Sequence, residues 1–326
     1  MSILVTGGAG YIGSHTVKEL RARGEQVIIY DDLSTGFYQA AQDCMLVVGS
    51  LHHYDKLVET MRAFDVDSVV HFAAYSQVGE SMNDPGKYYY NNVAGTIKLL
   101  NAMKENNVKR IVFSSTAATF GEPDSVPISE ETPQHPASVY GTTKLMIEKI
   151  LRDYDAAYGI RSVALRYFNA AGADESGLIG EAHNPETHLI PLIMQVLLGR
   201  REHISIYGTD YPTPDGTCVR DYIHVTDLAT AHILSLNALR DGMASTAYNL
   251  GNGNGFSVRE VIGMVEKVTG RKVATVEGPR RSGDPAVLIA SSEKIMRELN
   301  WKPKFNELEQ IIASAWRWHE SHPYGY

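Results

Sequence analysis

The 326-residue sequence has few cysteines, no long apolar run and no excess of basic residues. Its two cysteines, Cys44 and Cys218, lie far apart, which excludes a disulfide framework and a cysteine metal site; we interpret both as inert thiols and predict no metal ligand. No apolar stretch approaches the ~20 residues that a membrane-spanning helix needs. The formal net charge of −8 argues against nucleic acid or an anionic membrane as the main partner.

The sequence starts directly with an apolar stretch and a glycine-rich loop, so we expect no secretory leader and a soluble, cytoplasmic protein. Hydrophobic residues make up 44% of the chain, enough to bury a sizeable core. In such an acidic chain, a phosphate ligand must be held by local arginines and lysines or by backbone amides.

The N-terminal residues follow the order strand, glycine loop, helix, strand, acid. Ile3–Thr6 is typical of a buried parallel strand. It leads into Gly7-Gly-Ala-Gly-Tyr-Ile-Gly13, and we place a helix over Tyr11–Arg23 and a second strand over Val27–Tyr30. Such glycines let the backbone approach a pyrophosphate at the positive end of the helix.

The second strand ends in Asp31, 18 residues beyond Gly13. At this position a carboxylate can accept hydrogen bonds from both adenosine ribose hydroxyls, and it would repel a 2′-phosphate. The pattern therefore predicts a site for NAD rather than NADP.

Strands and helices alternate as far as Gly172, which predicts an α/β protein with a doubly wound parallel Rossmann sheet. His71 lies within an apolar strand and is interpreted as a packed core histidine. An apolar stripe in one helix is expected at Tyr89, Val93, Ile97 and Leu100. The further predicted strands and helices are Met45–Val48, Asp55–Ala63, Ser68–Phe72, Tyr88–Asn106, Arg110–Ser114, a helix containing Tyr140, and Arg161–Arg166.

After Gly172 the sequence becomes rich in loops. We expect an NAD-binding domain over residues 1–172 and a smaller, loop-rich C-terminal substrate domain over 173–326, with segments near 220–240 returning to the first. The predicted features are a helix over Pro191–Leu198 with its proline near the first position, a strand over Arg220–Val225, a helix capped by Thr226 or Asp227, and a capping box at Ser257 and Glu260.

Tyr140 and Lys144 are four residues apart, so on a helix they project from the same face. We expect the ammonium to lower the tyrosine pKa from about 10. Such a tyrosine can take and return the proton of a sugar hydroxyl. Thr116, at the end of a predicted strand, is placed to contact a substrate; capping of a strand or helix end is the simpler alternative.

Two arginine positions in the C-terminal half, Arg220 and Arg281, suggest an anion site. Arginine grips phosphates through two parallel hydrogen bonds. A single surface arginine is usually only solvated, but two such positions in loops of an acidic protein favour a diphosphate ligand.

Together these motifs resemble the extended short-chain dehydrogenase/reductase family, and more narrowly its nucleotide-sugar epimerases. The resemblance covers nearly the whole chain. Its glycine loop and Tyr140/Lys144 pair are shared by the superfamily, whereas the stretch Asp210–Val225 is far more specific. The other matching stretches are His71–Ala73, Asn91–Thr96, Leu165–Asn169, Tyr248–Gly253, Arg280–Asp284 and Trp316–Trp318.

The resemblance implies a UDP-sugar substrate and tightly held NAD. By this resemblance, Tyr140 is the catalytic base, Lys144 holds the nicotinamide ribose, and Thr116 hydrogen-bonds the sugar C4 oxygen. The implied cofactor positions are Gly7, Gly10, Tyr11, Ile12, Gly13, Asp31, Ser50, Leu51, Phe72, Ala73, Asn92, Tyr140, Lys144 and Phe168. The implied substrate positions are Thr116, Asn169, Leu189, Tyr207, Arg220, Arg281, Asp284 and Leu288.

Three positions depart from the pattern. Ser50 stands where many relatives have an aspartate for the adenine amine, and Ser76 replaces a lysine that some relatives use near the nicotinamide. Leu288 has intermediate size at a position bordering the sugar pocket. The preferred UDP-sugar therefore stays open among a hexose, an N-acetylhexosamine and a pentose.

Two other functions compete with C4 epimerisation. A 4,6-dehydratase or decarboxylase needs an extra acid or base, but Ala117 and Ala118 follow Thr116. A catalytically silent NAD-binding regulator is opposed by the intact Tyr140/Lys144 pair. The apolar face of the Tyr140 helix, paired with the Tyr88–Asn106 helix, could form a homodimer interface or be buried within one subunit.

Overall fold

The computed structural model describes residues 1–281 and 284–326; Ser282 and Gly283, within the predicted Arg280–Asp284 motif, lie outside the described residues. The strands are β1 (Ser2–Thr6), β2 (Val27–Asp31), β3 (Met45–Val48), β4 (Val66–His71), β5 (Arg110–Thr116), β6 (Arg161–Tyr167), β7 (Asn169–Ala171), β8 (Ile204–Tyr207), β9 (Val219–His224), β10 (Thr246–Leu250), β11 (Gly255–Ser257), β12 (Thr275–Gly278) and β13 (Val287–Leu288). The α-helices are α1 (Tyr11–Ala22), α2 (Tyr54–Ala63), α3 (Val78–Asn83), α4 (Pro85–Tyr88), α5 (Gly95–Glu105), α6 (Val139–Tyr158), α7 (Leu189–Leu197), α8 (Val225–Arg240), α9 (Val258–Thr269), α10 (Glu293–Leu299) and α11 (Leu308–Ser321).

Seven parallel strands form one sheet in the order β10-β6-β5-β4-β1-β2-β3. This confirms the predicted α/β Rossmann architecture. The strand order reverses between β1 and β4, where ligands of such sheets bind beyond the carboxyl ends of the strands. Strand β10 was not predicted, because it lies in the loop-rich half of the sequence and joins the edge of the sheet by pairing with the distant β6.

Helices cover both faces of this sheet because its strands are apolar on both sides. Leu20 of α1 and Leu236 of α8 pack against one face, and Leu99 of α5 and Leu151 of α6 pack against the other. All four side chains are almost fully buried, and each such burial contributes about 1.5–3 kcal/mol. His71 is buried between the Thr6 and Thr96 hydroxyls, as expected for a core histidine.

A separate apolar cluster holds the C-terminal half together. It includes Ile193 of α7, Val261 of α9 and Ile311 of α11. The predicted capping box at Ser257 and Glu260 is present at the start of α9. No helix in the described ranges is both long enough and apolar enough to span a lipid bilayer.

The predicted helix over Tyr88–Asn106 is present, but its hydrogen bonding is not α-helical throughout. A π-helical turn, Tyr89–Ala94, separates α4 from α5. The wider turn shifts the phase of the apolar stripe. Tyr89 is consequently 38% exposed, while Leu99 and Met103 join Leu100 in the core.

Two predicted helix starts also differ from the structure. Helix α8 is capped by His224, whose Nδ1 accepts from the Thr226 amide, whereas the Asp227 carboxylate accepts from the Lys304 and Phe305 amides. Asp227 therefore holds the C-terminal segment instead of capping α8. Helix α7 begins at Leu189, so Pro191 is its third residue; first-turn amides lack helical partners, and proline is tolerated there.

Candidate active site

The glycine loop joins β1 to α1 under tight steric limits. Gly7 has φ +72°, and a Cβ there would lie 2.6 Å from the Ala73 backbone nitrogen. A Cβ on Gly13 would lie 2.1 Å from the Gly7 carbonyl oxygen. Helix α1 starts after Gly10 with no side-chain cap, so no capping side chain competes for the first-turn amides, which are donors of the kind that bind anions.

Asp31 lies beside this loop at the carboxyl end of β2. Its carboxylate accepts from the Ala9 amide at 3.0 Å and from the Leu33 amide at 2.9 Å. Burial raises the pKa of Asp31, and the two amides oppose that rise. Uncapped helix amides and an adjacent buried carboxylate are the donor and acceptor set that a dinucleotide requires, so these residues fit NAD.

The other predicted cofactor positions line neighbouring loops. Phe72 and Ala73 donate their amides to the Thr6 carbonyl directly after β4. Ser50 uses its carbonyl to accept from the Tyr30 hydroxyl at 3.0 Å, and Leu51 is buried. The side chains of Ile12 and Phe168 are partly buried, and the Tyr11 hydroxyl donates to the Gly172 carbonyl at 2.6 Å.

Asn92 lies in the π-helical turn and is fully buried. Its amide group accepts from the Tyr75 amide at 2.9 Å and donates to the Tyr75 carbonyl at 3.0 Å. It also donates to the Thr143 hydroxyl on α6 at 3.3 Å. Asn92 therefore ties the loop after β4 to the helix that carries Tyr140.

Tyr140 and Lys144 occupy the first turns of α6. The Lys144 Nζ atom donates to the Ser114 carbonyl at 2.8 Å and lies 5.8 Å from the centre of the Tyr140 ring. Helix α6 is positioned by the Ser138 hydroxyl, which accepts from the Gly141 amide at 3.1 Å. The geometry thus brings the predicted base and the predicted ammonium to the carboxyl end of β5.

The predicted fall in the Tyr140 pKa is wrong for the protein alone. Burial raises the pKa of Tyr140 to about 12, and a hydrogen-bonding contribution from Thr116 only partly opposes this rise. Burial also lowers the pKa of Lys144 to about 7, with Glu148 acting in the opposite direction. Desolvation penalises the charged form of both groups, and spacing along a helix cannot reveal this cost.

Thr116 ends β5 and accepts from the Ala118 amide at 3.1 Å. The capping alternative is therefore correct, and its hydroxyl also lies beside Tyr140. Ala117 belongs to a small apolar cluster against which Phe168, a predicted cofactor residue, and Leu288, a predicted substrate residue, pack. Neither Ala117 nor Ala118 brings a titratable group to this end of the sheet.

A buried ion pair below Lys144 was not found from the sequence. The Arg166 guanidinium on β6 donates to Glu148 Oε2 at 2.6 Å, and the Ser115 hydroxyl donates to Glu148 Oε1 at 2.5 Å. Glu148 follows Lys144 by one helical turn, so the spacing Tyr140, Lys144, Glu148 was a signal that was available.

A cavity of about 230 Å³ lies in the C-terminal half. The Arg220 guanidinium donates to the Asp284 carboxylate, and the Arg281 guanidinium lies 4.0 Å above the centre of the Tyr207 ring. The predicted substrate residues that line the cavity are Asn169, Leu189, Tyr207, Arg220, Arg281 and Asp284. Thr116 and Leu288 do not line it. Cavity residues that were not predicted include Glu181, His188, Arg201 and Cys218, a free thiol whose pKa burial raises.

Comparisons with known proteins agree with this geometry. Residues 3–251 match the NAD dependent epimerase/dehydratase family. The chain is 56% identical over 329 residues to a UDP-glucose 4-epimerase of Streptococcus mutans serotype c, covering 100% of this chain and 99% of that protein. A crystal structure of a UDP-glucose 4-epimerase has a TM-score of 0.98 at 50% identity, covering 100% of this chain and 99% of the other. The UDP-glucose 4-epimerase of Bifidobacterium longum in complex with NAD⁺ and UDP has a TM-score of 0.94 at 39% identity, covering 100% of both chains.

Proposed function

Because the chain belongs to the NAD dependent epimerase/dehydratase family, we propose that it is an isomerase that interconverts UDP-galactose and UDP-glucose at C4 of the sugar. Its cofactor is NAD, as in the structure from Bifidobacterium longum. The observation that carries the proposal is the placement of Tyr140 and Thr116 together, followed by two alanines that add no second acid or base. This reaction supplies UDP-galactose and serves galactose metabolism.

Tyr140 is the proton carrier of the reaction. NAD, when bound, supplies a reversible hydride acceptor for carbon C4. The Tyr140 phenolate takes the proton of the 4-hydroxyl, Thr116 hydrogen-bonds the C4 oxygen, and the sugar becomes a transient 4-ketose. After the ketose has turned over, Tyr140 returns the proton to the C4 oxygen, and bound NAD would supply the hydride to the opposite face of C4. Burial favours neutral Tyr140 in the protein alone; the positive charge of bound NAD⁺, together with that of protonated Lys144, would favour the phenolate.

The nucleotide anchors the substrate while the sugar turns over. Arg220 and Arg281 grip the diphosphate, and Asn169, Leu189 and Tyr207 line the same cavity. Asp284 orients Arg220 through their ion pair. Because binding is concentrated on UDP, one pocket accepts both orientations of the sugar. Leu288 borders the sugar and sets how large a substituent is accepted.

The two halves of the chain bind different ligands. Residues 1–172, together with the segment near 220–240, bind NAD, and 173–326 mainly bind the nucleotide sugar. The chain works as a homodimer through α6 and the helical segment formed by the π-helical turn and α5; Tyr90 of that turn and Tyr158 of α6 are 63% and 41% exposed. The free cysteines fit a reducing compartment, the cytoplasm.

Incubation of the purified protein with UDP-galactose and no added reductant tests the proposal. Nucleotide-sugar chromatography should show UDP-glucose appearing until a fixed ratio is reached. Absence of a new UDP-hexose peak would contradict the proposal, and a 4-keto-6-deoxy product would identify a dehydratase. The same assay with UDP-N-acetylgalactosamine and UDP-arabinose separates hexose preference from the alternative UDP-sugars.

A further inference from the structure

Four metal-ligand side chains meet in the segment between β7 and α7, which contains no helix or strand. We call them the 181–188 cluster: Glu181, His183, Glu186 and His188. One candidate ligand atom from each lies within 4.8 Å of all the others. We propose that the 181–188 cluster is a tetrahedral binding site for a divalent transition-metal ion of the Zn²⁺ class. This departs from the expectation that the chain has no metal ligand, and it does not depend on the proposed function.

The separations between the ligand atoms fit one ion. His188 Nδ1 lies 3.1 Å from Glu181 Oε1 and 3.0 Å from Glu186 Oε1. His183 Nδ1 lies 3.4 Å from Glu181 Oε1 and 3.4 Å from Glu186 Oε2. Ligands held ~2.0–2.1 Å from a tetrahedral zinc are separated by roughly 3.3 Å. The distances from both imidazoles to Glu181 Oε1 therefore lie near the separation of two zinc ligands, and Glu186 approaches the two imidazoles through different oxygens.

Hydrogen bonding alone accounts poorly for His183. Both of its contacts with the carboxylates are 3.4 Å long, whereas N–H···O hydrogen bonds usually span ~2.7–3.2 Å. The ring centres of His183 and His188 lie 5.0 Å apart, with both Nδ1 atoms facing the same carboxylates. A shared ion explains why two imidazoles converge on one pair of carboxylates.

The charges of the cluster also suit a bound cation. The side chains of Glu181 and Glu186 are only 5% and 4% exposed. Within residues 1–281 and 284–326, their ion-pair partners are the imidazoles of His183 and His188, and neither carboxylate pairs with a lysine or an arginine. Buried charges are stable only when they are paired or coordinate a metal. A divalent ion neutralises both carboxylates and leaves the imidazoles neutral, which is the form that binds metals.

Neighbouring groups already orient the ligands. Glu186 Oε1 accepts from the Thr187 amide at 2.8 Å and from the His188 amide at 2.9 Å. The Trp318 indole N–H donates to the Glu181 carbonyl at 3.2 Å. Such outer contacts raise metal affinity by fixing ligand directions. Four protein ligands leave no open position, so the ion has a structural role and stabilises the wall of the cavity that Glu181 and His188 line.

Zinc titration of the full-length, chelator-stripped protein tests the site. Isothermal calorimetry should show one Zn²⁺ per chain, with a change in tryptophan fluorescence because Trp318 contacts Glu181. Mg²⁺ and Ca²⁺, which prefer larger sets of oxygen ligands, should not bind at the same concentration. Glu186→Gln and His183→Asn should each weaken Zn²⁺ binding at least 100-fold. The matched controls Glu175→Gln and His135→Gln replace exposed residues and should bind as the wild type does.

Co²⁺ substitution and thermal unfolding decide the question on wild-type protein even if a variant fails to fold. Tetrahedral coordination predicts intense visible absorption by bound Co²⁺, and Zn²⁺ should raise the midpoint of thermal unfolding until a chelator reverses the rise. Weak octahedral absorption, no stoichiometric Zn²⁺ binding, or undiminished binding by Glu186→Gln and His183→Asn would each overturn the proposal.

Discussion

The Nζ atom of Lys144 lies 5.8 Å from the centre of the Tyr140 ring and donates its hydrogen bond to the Ser114 carbonyl at 2.8 Å. Lys144 is only 2% exposed, so desolvation decides its charge. The protein alone therefore holds both groups away from their charged forms: Lys144 has a pKa of about 7 and Tyr140 a pKa of about 12.

Lys144→Met should stabilise the nucleotide-free protein, and its gain in free energy of unfolding over the wild type should be larger near pH 7 than at higher pH. The unfolded chain keeps the lysine proton up to its ordinary pKa of 10.5, whereas the folded chain releases it near pH 7. Between these values the unfolded state binds more protons, so wild-type stability rises with pH. The stability advantage of Lys144→Met, measured by denaturant unfolding, should shrink by about 1.4 kcal/mol per pH unit from pH 7.5 to 9.5.

Lys149→Met is the matched control, because Lys149 is exposed on the same helix. Its stability difference from the wild type should not change over this pH range. An advantage of Lys144→Met that stayed constant with pH would show that the Lys144 pKa is not depressed.

Tyr140→Phe should retain NAD and lose turnover. The change removes one hydroxyl from a helix that stays anchored by Ser138 and Ser81. Loss of a general acid–base group typically costs about 10²–10⁴ in rate. Conversion of UDP-galactose should fall by this factor, while absorbance of the purified protein still reports nucleotide. Tyr158→Phe, an exposed change on the same helix, should be as active as the wild type; a Tyr140→Phe rate near wild type would exclude Tyr140 as the base.

Sequence patterns were sufficient where structure depends on local periodicity. The apolar strand at Val27, the glycine loop at Gly7 and the capping box at Ser257 were all predicted, because each is specified by neighbouring residues. The π-helical turn and β10 were missed, since the first depends on packing around Asn92 and the second on pairing with β6.

In the candidate site, too, the sequence predicted local relationships and missed those that depend on tertiary packing. Spacing alone placed Tyr140 and Lys144 on one face, and both lie at the carboxyl end of β5. It did not reveal their pKa values, because burial is a property of the assembled sheet and helices. Glu148 and Arg166 were missed for a related reason: they are 18 residues apart and meet only when β6 lies against α6.

Glu148→Ala should destabilise the fold strongly. The change leaves the buried Arg166 guanidinium without its carboxylate, and breaking a buried pair from one side costs about 3–5 kcal/mol. The double variant Glu148→Leu/Arg166→Met removes both charges and should recover most of the lost stability, as measured by denaturant unfolding.

Glu309→Ala, the control, breaks an exposed pair with Lys267 and should cost at most about 1 kcal/mol. If Glu148→Ala and Glu309→Ala lowered the free energy of unfolding equally, burial would not determine how much an ion pair contributes to stability.

Arg281→Ala should weaken binding of the nucleotide more than it slows the chemistry. Arg281 lies over the Tyr207 ring at the cavity, distant in sequence from Tyr140 on α6. A hydrogen bond to a charged group contributes about 1.5–3 kcal/mol, so the KM for UDP-galactose should rise about 10- to 100-fold with kcat nearly unchanged.

Arg271→Ala is the matched control, because Arg271 is also exposed and lies 5.0 Å above the Trp316 ring, yet it does not line the cavity. Steady-state kinetics of both variants separates an effect on substrate binding from an effect on the chemical step. An unchanged KM for Arg281→Ala would show that Arg281 does not bind the diphosphate. A fall in kcat alone would show that Arg281 acts when the sugar rotates in the pocket.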